Sequence, residues 1–451
     1  MINNDNSFKV SEVTLKEMLD AREERVHIQS QMQKDHLAPL ICFTMNIAGP
    51  VKTSPSIIRA FEYGINELRK GFKDDCILAE KTERLKTGPV FYCSVMEDAE
   101  VIKSICESIE ESCPLGRLFD MDVIDVDGKK LERKVPRCCI VCGSEGRTCA
   151  AMRTHSVEEL QKKTMALITE HFAKIDCKTI AFLAQKSLLD EVETTPKPGL
   201  VDLANNGSHK DMTPHTFKNS AQALLPYFEK CTGLGMETTK EDAHITFDSL
   251  RKAGLEAEKA MYKATNGVNT HKGIIYSMGV ILGAIGRLWS VNAPIAPVDR
   301  ILDECSALTR LSAEKDFDRI DGSTAGGRLY LLNGEKGIRG EAAEGFPAVK
   351  EISLPCYKKI QNETKDKNHA GVMTLLHLIA KVYDTSIFNR GGEDGVKFAQ
   401  EYAQKLLAKN NVTTPEIQAM DKAFTEKNLS PGGCADLLAI TYFLASLEEI
   451  K

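Results

Sequence analysis

Two aspartates one residue apart, Asp120 and Asp122, stand in the run Gly116-Arg117-Leu118-Phe119-Asp120-Met121-Asp122-Val123. On a β-strand, residues i and i+2 point to the same face, so the two carboxylates would converge on one spot. Phe119, Met121 and Val123 alternate with them, as a strand with one buried face requires. Neighbouring carboxylates repel unless a cation neutralises them, and Mg²⁺ carrying a polyphosphate suits such a pair. A solvated edge strand is the competing account, because Asp125 and Asp127 follow closely. A second pattern, Cys139-x2-Cys142-x6-Cys149-x5-His155, offers either four ligands for a tetrahedral zinc ion or a cluster of reduced thiols. Ahead of both lies Asn46-Ile47-Ala48-Gly49-Pro50-Val51-Lys52, whose glycine turn exposes amides beside a lysine. Amides and a cation of that kind can meet a phosphate, or they form an ordinary strand-to-loop turn.

The densest cluster of chemistry-bearing residues comes later. Glu191 to Asp202 and Asn205 to Met212 carry acids, lysines and a histidine, punctuated by Pro196, Pro198, Gly199 and Asn206-Gly207. Prolines and glycines stop a helix and turn the chain, so Lys197, Asp202, Asn206, Ser208, His209, Lys210 and Asp211 fall in one irregular loop. Loops held on a helical scaffold commonly carry function, although an elaborate surface connection has the same composition. Further on, Thr265 to Gly273 precedes an apolar helical stripe of Ile274, Ile275, Met278, Ile281, Leu282 and Ile285. That order aims unpaired helix amides, with Asn269, His271 and Lys272, at whatever occupies the loop; phosphate fits there, and Asn269 or Thr270 can also serve as a plain cap. Glu258 lies at the margin of the stripe Leu250, Gly254, Ala257 and Met261, as a metal ligand, a base, or a partner of Arg251. Arg339 sits beside Glu341 and Glu344 in a glycine-bounded segment, and Asp384, Arg390 and Asp436 occupy helix ends. His377 reads as a satisfied core histidine.

Elements must hold these groups in place. Before residue 160 the periodicity mixes helices (Leu15–Lys34, Ser56–Lys70, Asp98–Glu110) with strands (Leu40–Ile47, Pro89–Met96, Leu118–Val126, Val135–Val141). Beyond it the pattern is helical: Lys178–Leu189, Phe217–Lys230, Ala243–Ala264, Ile274–Trp289, Pro297–Leu311, Asn368–Tyr383, Gly395–Leu407 and Ala435–Leu447. The expected architecture is an α+β domain over residues 1–175 followed by an all-α domain over residues 176–451, with the boundary near Phe172–Cys177. A chain of 451 residues accommodates two or three domains.

The bulk numbers exclude some partners. A net charge of −6 argues against nucleic acid or an anionic membrane as a target, so a phosphorylated ligand needs local cations and amides. The opening MINNDNSFKV lacks the apolar core of a secretory signal, no apolar run reaches a bilayer span, and fourteen cysteines fit a reduced interior. A cytoplasmic location is the expectation.

The stretches "PLICFTMNIAGPVKTS", "GRLFDMDVID" and "CCIVCGSEGRTCAAMRTHSVEEL" together resemble the citrate lyase holo-[acyl-carrier-protein] synthase family. The resemblance implies a nucleotidyltransferase-like domain that transfers phosphoribosyl-dephospho-coenzyme A to a serine of the apo acyl carrier subunit of citrate lyase, releasing pyrophosphate. Asp120 and Asp122 would then hold Mg²⁺, with Asn46, Lys52 and Arg117 binding the nucleotide. Ala48 and Cys138 stand where that family's pattern calls for a proline and a basic or polar residue.

"VETTPKPGLVDLANNGSHKDM", "ATNGVNTHKGIIYSMG", "GEAAEGFPAV" and "SPGGCADLLA" resemble triphosphoribosyl-dephospho-coenzyme A synthase, with Cys434 in place of an expected serine. That resemblance implies ATP and dephospho-coenzyme A as substrates and adenine as a product. Asp202, Asp211 and Glu258 stand as candidates for stabilising the ribosyl cation or accepting the hydroxyl proton, and Asp211 also for holding Mg²⁺. Lys197, Lys210 and Lys272 would grip the triphosphate, alongside Asn206, Ser208, His209, Asn269, His271 and Arg339. The equivalent system of malonate decarboxylase and a non-catalytic nucleotide- or carrier-binding protein are the rival readings.

Overall fold

The computed structural model describes residues 11–317, 330–332, 334–409 and 411–449, and the chain divides into two compact units, Met1–Lys174 and Ile175–Lys451. The N-terminal decapeptide, read above for a signal, lies outside the described residues.

In the first unit, helix α1 (Leu15–His36) starts at a capping box in which Thr14 and Glu17 satisfy each other's backbone amides. It is followed by β1 (Leu40–Met45), α2 (Pro55–Lys70), β2 (Ile77–Leu85), β3 (Gly88–Val95), α3 (Ala99–Ser112), β4 (Phe119–Ile124) and the short α4 (Gly146–Ala151). The strands form an antiparallel sheet in the order β2-β3-β1-β4. One face packs Phe43 against Phe61 of α2, with ring centroids 4.9 Å apart, and against Phe119 at 5.2 Å. The opposite face gathers Leu40, Cys42, Val90, Tyr92 and Ile124 against Ile28 and Met32 of α1. Register puts Asp122 opposite Cys42 and Asp120 opposite Thr44, so both acids share the α1 side of the edge strand β4.

One expectation fails here. Val135–Val141 is not a strand: it runs irregularly into a turn, with one isolated bridge between Cys138 and Glu145. The charged run Ile77–Leu85, for which sequence offered no reading, pairs with β3 along its length because an edge strand keeps a wet face. The expected family fold for this unit carries over only as α+β with a small antiparallel sheet.

Helix α5 (Val157–Glu193) runs without a break through the segment where a boundary was expected. The second unit then comprises α6 (Pro214–Glu237), α7 (Ala243–Ala264), α8 (Lys272–Leu288), α9 (Val298–Phe317), α10 (Gly337–Ala343), α11 (Leu354–Thr364), α12 (Lys367–Lys381), α13 (Thr385–Leu407), α14 (Thr414–Glu426) and α15 (Gly432–Glu449). α8 is buried all round from Ile274 to Gly286, save Tyr276, which marks it as a central helix rather than an amphipathic surface one. It lies so close to α6 that a Cβ on Gly286 would fall 2.1 Å from the Thr232 carbonyl oxygen, and one on Gly235 2.2 Å from that of Gly283. No helix among the described residues is long and apolar enough to cross a membrane.

Candidate functional site

Each unit contains its own cavity. That of the first unit encloses about 1000 Å³ and opens over Asp120 and Asp122. β4 presents the acids because Phe119, Met121 and Val123 are pinned in the core between them. Lys130 reaches Asp122 at 2.6 Å and Arg137 reaches Asp120 at 3.4 Å. Behind them Glu110 of α3 is buried; it accepts the Met121 amide at 2.7 Å and ion-pairs with both Arg133 and Arg137. Burial pushes the Glu110 carboxyl up, against the pull of Arg137, the Met121 amide and Arg133. Glu110 therefore clamps β4 and aims Arg137 at Asp120. Sequence spacing missed this clamp, since an acid on a charged helix carries no sign of burial.

Asn46 and Arg117 line the same cavity, together with Lys103, Arg147 and Arg153. Lys52 does not. Its ammonium donates to the Ile47 carbonyl at 2.5 Å and closes the 47–52 turn, and burial lowers its pKa. Hard oxygen donors suit Mg²⁺, which takes one or two carboxylates plus phosphate oxygens, so Asp120 and Asp122 inside a cationic rim fit that ion.

In the second unit a cavity of about 410 Å³ joins the two segments that sequence set apart. Lys197 and His209 come from the long loop, and Asn269, His271 and Lys272 from the start of α8. Asn269 accepts the Lys272 amide at 3.2 Å and so caps that helix. His271 is buried and hydrogen-bonds Ser220 through Nδ1 at 2.7 Å; burial drops its pKa to about 3, so the ring is neutral. His209 accepts from Arg390 at Nδ1, 3.2 Å away, because a guanidinium can only donate. The neutral ring then carries its proton on Nε2 and donates it to Ser430 Oγ at 2.8 Å. Burial foremost, and Arg390 next, lower the His209 pKa in keeping with that tautomer.

Other expected residues serve the loop instead. Asp202 is buried, and its two oxygens accept the amides of Lys197, Ala204 and Asn205 at 2.8–2.9 Å, which leaves it as an organiser of the turn. Ser208 donates to the Leu429 carbonyl at 2.6 Å. Asn206, Lys210, Asp211 and Arg339 are exposed and lie off the cavity wall. Glu258 also lies off the wall, paired with Lys272 at 3.0 Å. Asp211, offered above as a metal ligand, thus has no place among the lining groups.

Two acids that were not put forward as catalytic line the cavity: Glu191 and Asp436. Glu191 is buried and ion-paired with the equally buried Lys197; burial raises its pKa and Lys197 pulls it down. Asp436, near the start of α15, faces the start of α8, where a Cβ on Gly273 would meet its Oδ2 at 2.0 Å. Burial foremost, then the nearby Glu191 and Asp384, hold its carboxyl well above the usual carboxylate range.

Comparison with known proteins matches residues 177–451 to the ATP:dephospho-CoA triphosphoribosyl transferase family and residues 13–171 to the apo-citrate lyase phosphoribosyl-dephospho-CoA transferase family. The chain belongs to both families. "Protein CitXG" of Haemophilus influenzae is 36% identical across 98% of both chains, and its namesake in Leuconostoc mesenteroides subsp. cremoris is 33% identical across 96% of this chain and 97% of that one. A "probable 2-(5''-triphosphoribosyl)-3'-dephosphocoenzyme-A synthase" of Photobacterium profundum is 40% identical over 61% of this chain and 89% of its own length. As a fused member of these families the chain is a bifunctional transferase of citrate lyase prosthetic group synthesis.

Proposed function

We propose that residues 176–451 make the activated nucleotide and that residues 1–175 load it onto the carrier. In the first reaction, a ribose hydroxyl oxygen of dephospho-coenzyme A bonds to the anomeric carbon of ATP as the bond to adenine breaks. The hydroxyl loses a proton and adenine gains one. Asp436 relays it: the carboxyl, protonated beyond the usual pH range, gives its proton to the departing base and recovers one from the hydroxyl. Lys272 and the opening amides of α8 bind phosphate. The buried Lys197–Glu191 pair keeps that wall of the cavity rigid and dry.

In the second reaction, a serine hydroxyl of the apo acyl carrier subunit attacks the phosphorus next to the ribose, and pyrophosphate leaves. Arg117, Lys130 and Arg137 stabilise the charge gathering on the leaving group. Asp120 and Asp122 would hold Mg²⁺, which would supply further positive charge against the departing pyrophosphate.

The observation that carries this reading is that each unit surrounds its own cavity with carboxylates and cations, one inside each family match. The decisive assay incubates the full chain with ATP, dephospho-coenzyme A and Mg²⁺, follows adenine, and weighs the apo-carrier before and after. Adenine release followed by a mass gain of phosphoribosyl-dephospho-coenzyme A is expected on the citrate lyase carrier. Absence of adenine removes the synthase reading, and loading of only the malonate decarboxylase carrier removes the carrier assignment.

A further inference from the structure

Four residues are unused by the chemistry above, three of them in the lining of the first cavity: Cys139, Cys142, Cys149 and His155. Their potential ligand atoms, three sulfurs and a ring nitrogen, all lie within 4.8 Å of one another, and the Cys142 and Cys149 sulfurs are 3.5 Å apart. Tetrahedral zinc with bonds of about 2.3 Å to sulfur separates its sulfur ligands by roughly 3.8 Å, so the cluster needs only small adjustments to close on an ion.

The local chain is shaped for the same purpose. The Val141 amide donates to Cys139 Sγ at 3.4 Å, and the Gly143 amide donates to the Cys139 carbonyl at 3.0 Å. Gly143 takes φ +76°, a left-handed turn that carries the chain past the second cysteine. Independently, His155 Nε2 is shut off from solvent without a hydrogen-bond partner. A buried polar nitrogen left so is costly and calls for an explanation, such as an ion.

We infer that Cys139, Cys142, Cys149 and His155 form a closed structural zinc site. Three thiolates and an imidazole select a soft or borderline ion and disfavour Mg²⁺. Four protein ligands leave no open position for a reacting water, so the ion is structural and not catalytic. Its place explains its use. Between β4 and α5 the chain from Leu131 to Ser156 holds little regular structure beyond α4, yet it supplies Arg137, Arg147 and Arg153 to the cavity. A segment too short to build a core of its own gains order from a metal that ties its ends together.

The test is metal analysis of the full chain, purified under reducing conditions without chelator or added metal. One zinc per chain is expected, and Cys142→Ser and His155→Asn should each retain less than about a tenth of it, on the principle that losing one of four ligands abolishes closure. Cys138→Ser, altering an exposed neighbour outside the ligand set, should keep the full equivalent. Cobalt exchanged into the wild type should give the thiolate charge-transfer and tetrahedral ligand-field bands of a three-sulfur site, and His155→Cys should shift them toward a four-sulfur spectrum. Circular dichroism of each variant separates a lost ligand from a lost fold. The inference is overturned by wild-type protein that holds no zinc and takes none up after reduction. It is equally overturned by an intact-mass thiol count showing Cys142 and Cys149 joined as a disulfide in freshly purified enzyme.

Discussion

At the scale of single residues, the two cavities ask different things of their acids. Asp120 and Asp122 share one face of β4 and are already countered by Arg137 and Lys130, so they act as anchors for positive charge. Asp120→Asn should lower carrier loading about 10²–10³-fold, the range for losing one preorganised electrostatic group, and leave adenine release unchanged. Asp436 answers in the opposite assay. Its raised carboxyl keeps a proton at pH values where a free aspartic acid has lost it, so a step that donates this proton persists above the ordinary carboxylate range and fades as pH climbs through the folded value. Asp436→Asn should cut adenine release about 10²–10⁴-fold and flatten that high-pH limb, measured as kcat against pH. Retention of the limb in the variant would assign it to another group. Sequence showed the acid pair at once, because a two-residue spacing on a strand suffices to bring the carboxylates together. It did not bring Asp436 to the cavity because its neighbours, Glu191 and Gly273, reach it only through helix packing. The turn-bracing bonds of Asp202 were hidden for the converse reason: from sequence, an acid that braces its own turn looks the same as one that faces a ligand.

Elements explain how α8 can deliver its first turn to the cavity. The helix descends through the core of the second unit against α6, and the close approach at Gly235 and Gly286 leaves no room for a side chain. The obstructing atoms at Gly286 are backbone, which cannot swing aside. Gly286→Ala should therefore destabilise this unit by about 1–3 kcal/mol, the usual cost of overpacking. Because unfolding of a two-unit chain is not two-state, the useful readout is the temperature at which adenine release is lost. That temperature should fall while loading from supplied intermediate persists. At the other end of the helix, Gly273→Ala puts a methyl into the space of the Asp436 carboxylate, which is a side chain and can turn away. Adenine release should drop with the melting behaviour of the second unit little changed. Periodicity located most of these helices, α7 to the residue, because long apolar repeats are unambiguous. It failed where the physics is local or mixed: α10, α11 and α14 are short, β2 is a charged edge, and the cysteine segment carries apolar residues without strand pairing.

Across the whole molecule, the intermediate made in one unit has to reach the other. The two matched regions abut at residues 171 and 177, each cavity is lined entirely from within its own unit, and α5 continues through the junction. Nothing in either cavity requires the other for its lining. A chain blocked at Asp436 and a chain blocked at Asp120 should therefore complement each other in solution, the second releasing the nucleotide and the first attaching it. The tether matters through local concentration alone, which for short connections is on the order of millimolar and so exceeds what dilute free intermediate supplies. Loading by the mixed variants should thus start after a lag, rise with total protein concentration, and fall when an excess of inactive double variant binds the released nucleotide. Loading by the wild type should respond weakly to that trap. Equal sensitivity in both would mean that fusion does nothing for transfer, and no loading at all by the mixture would mean that the nucleotide never leaves the chain that made it.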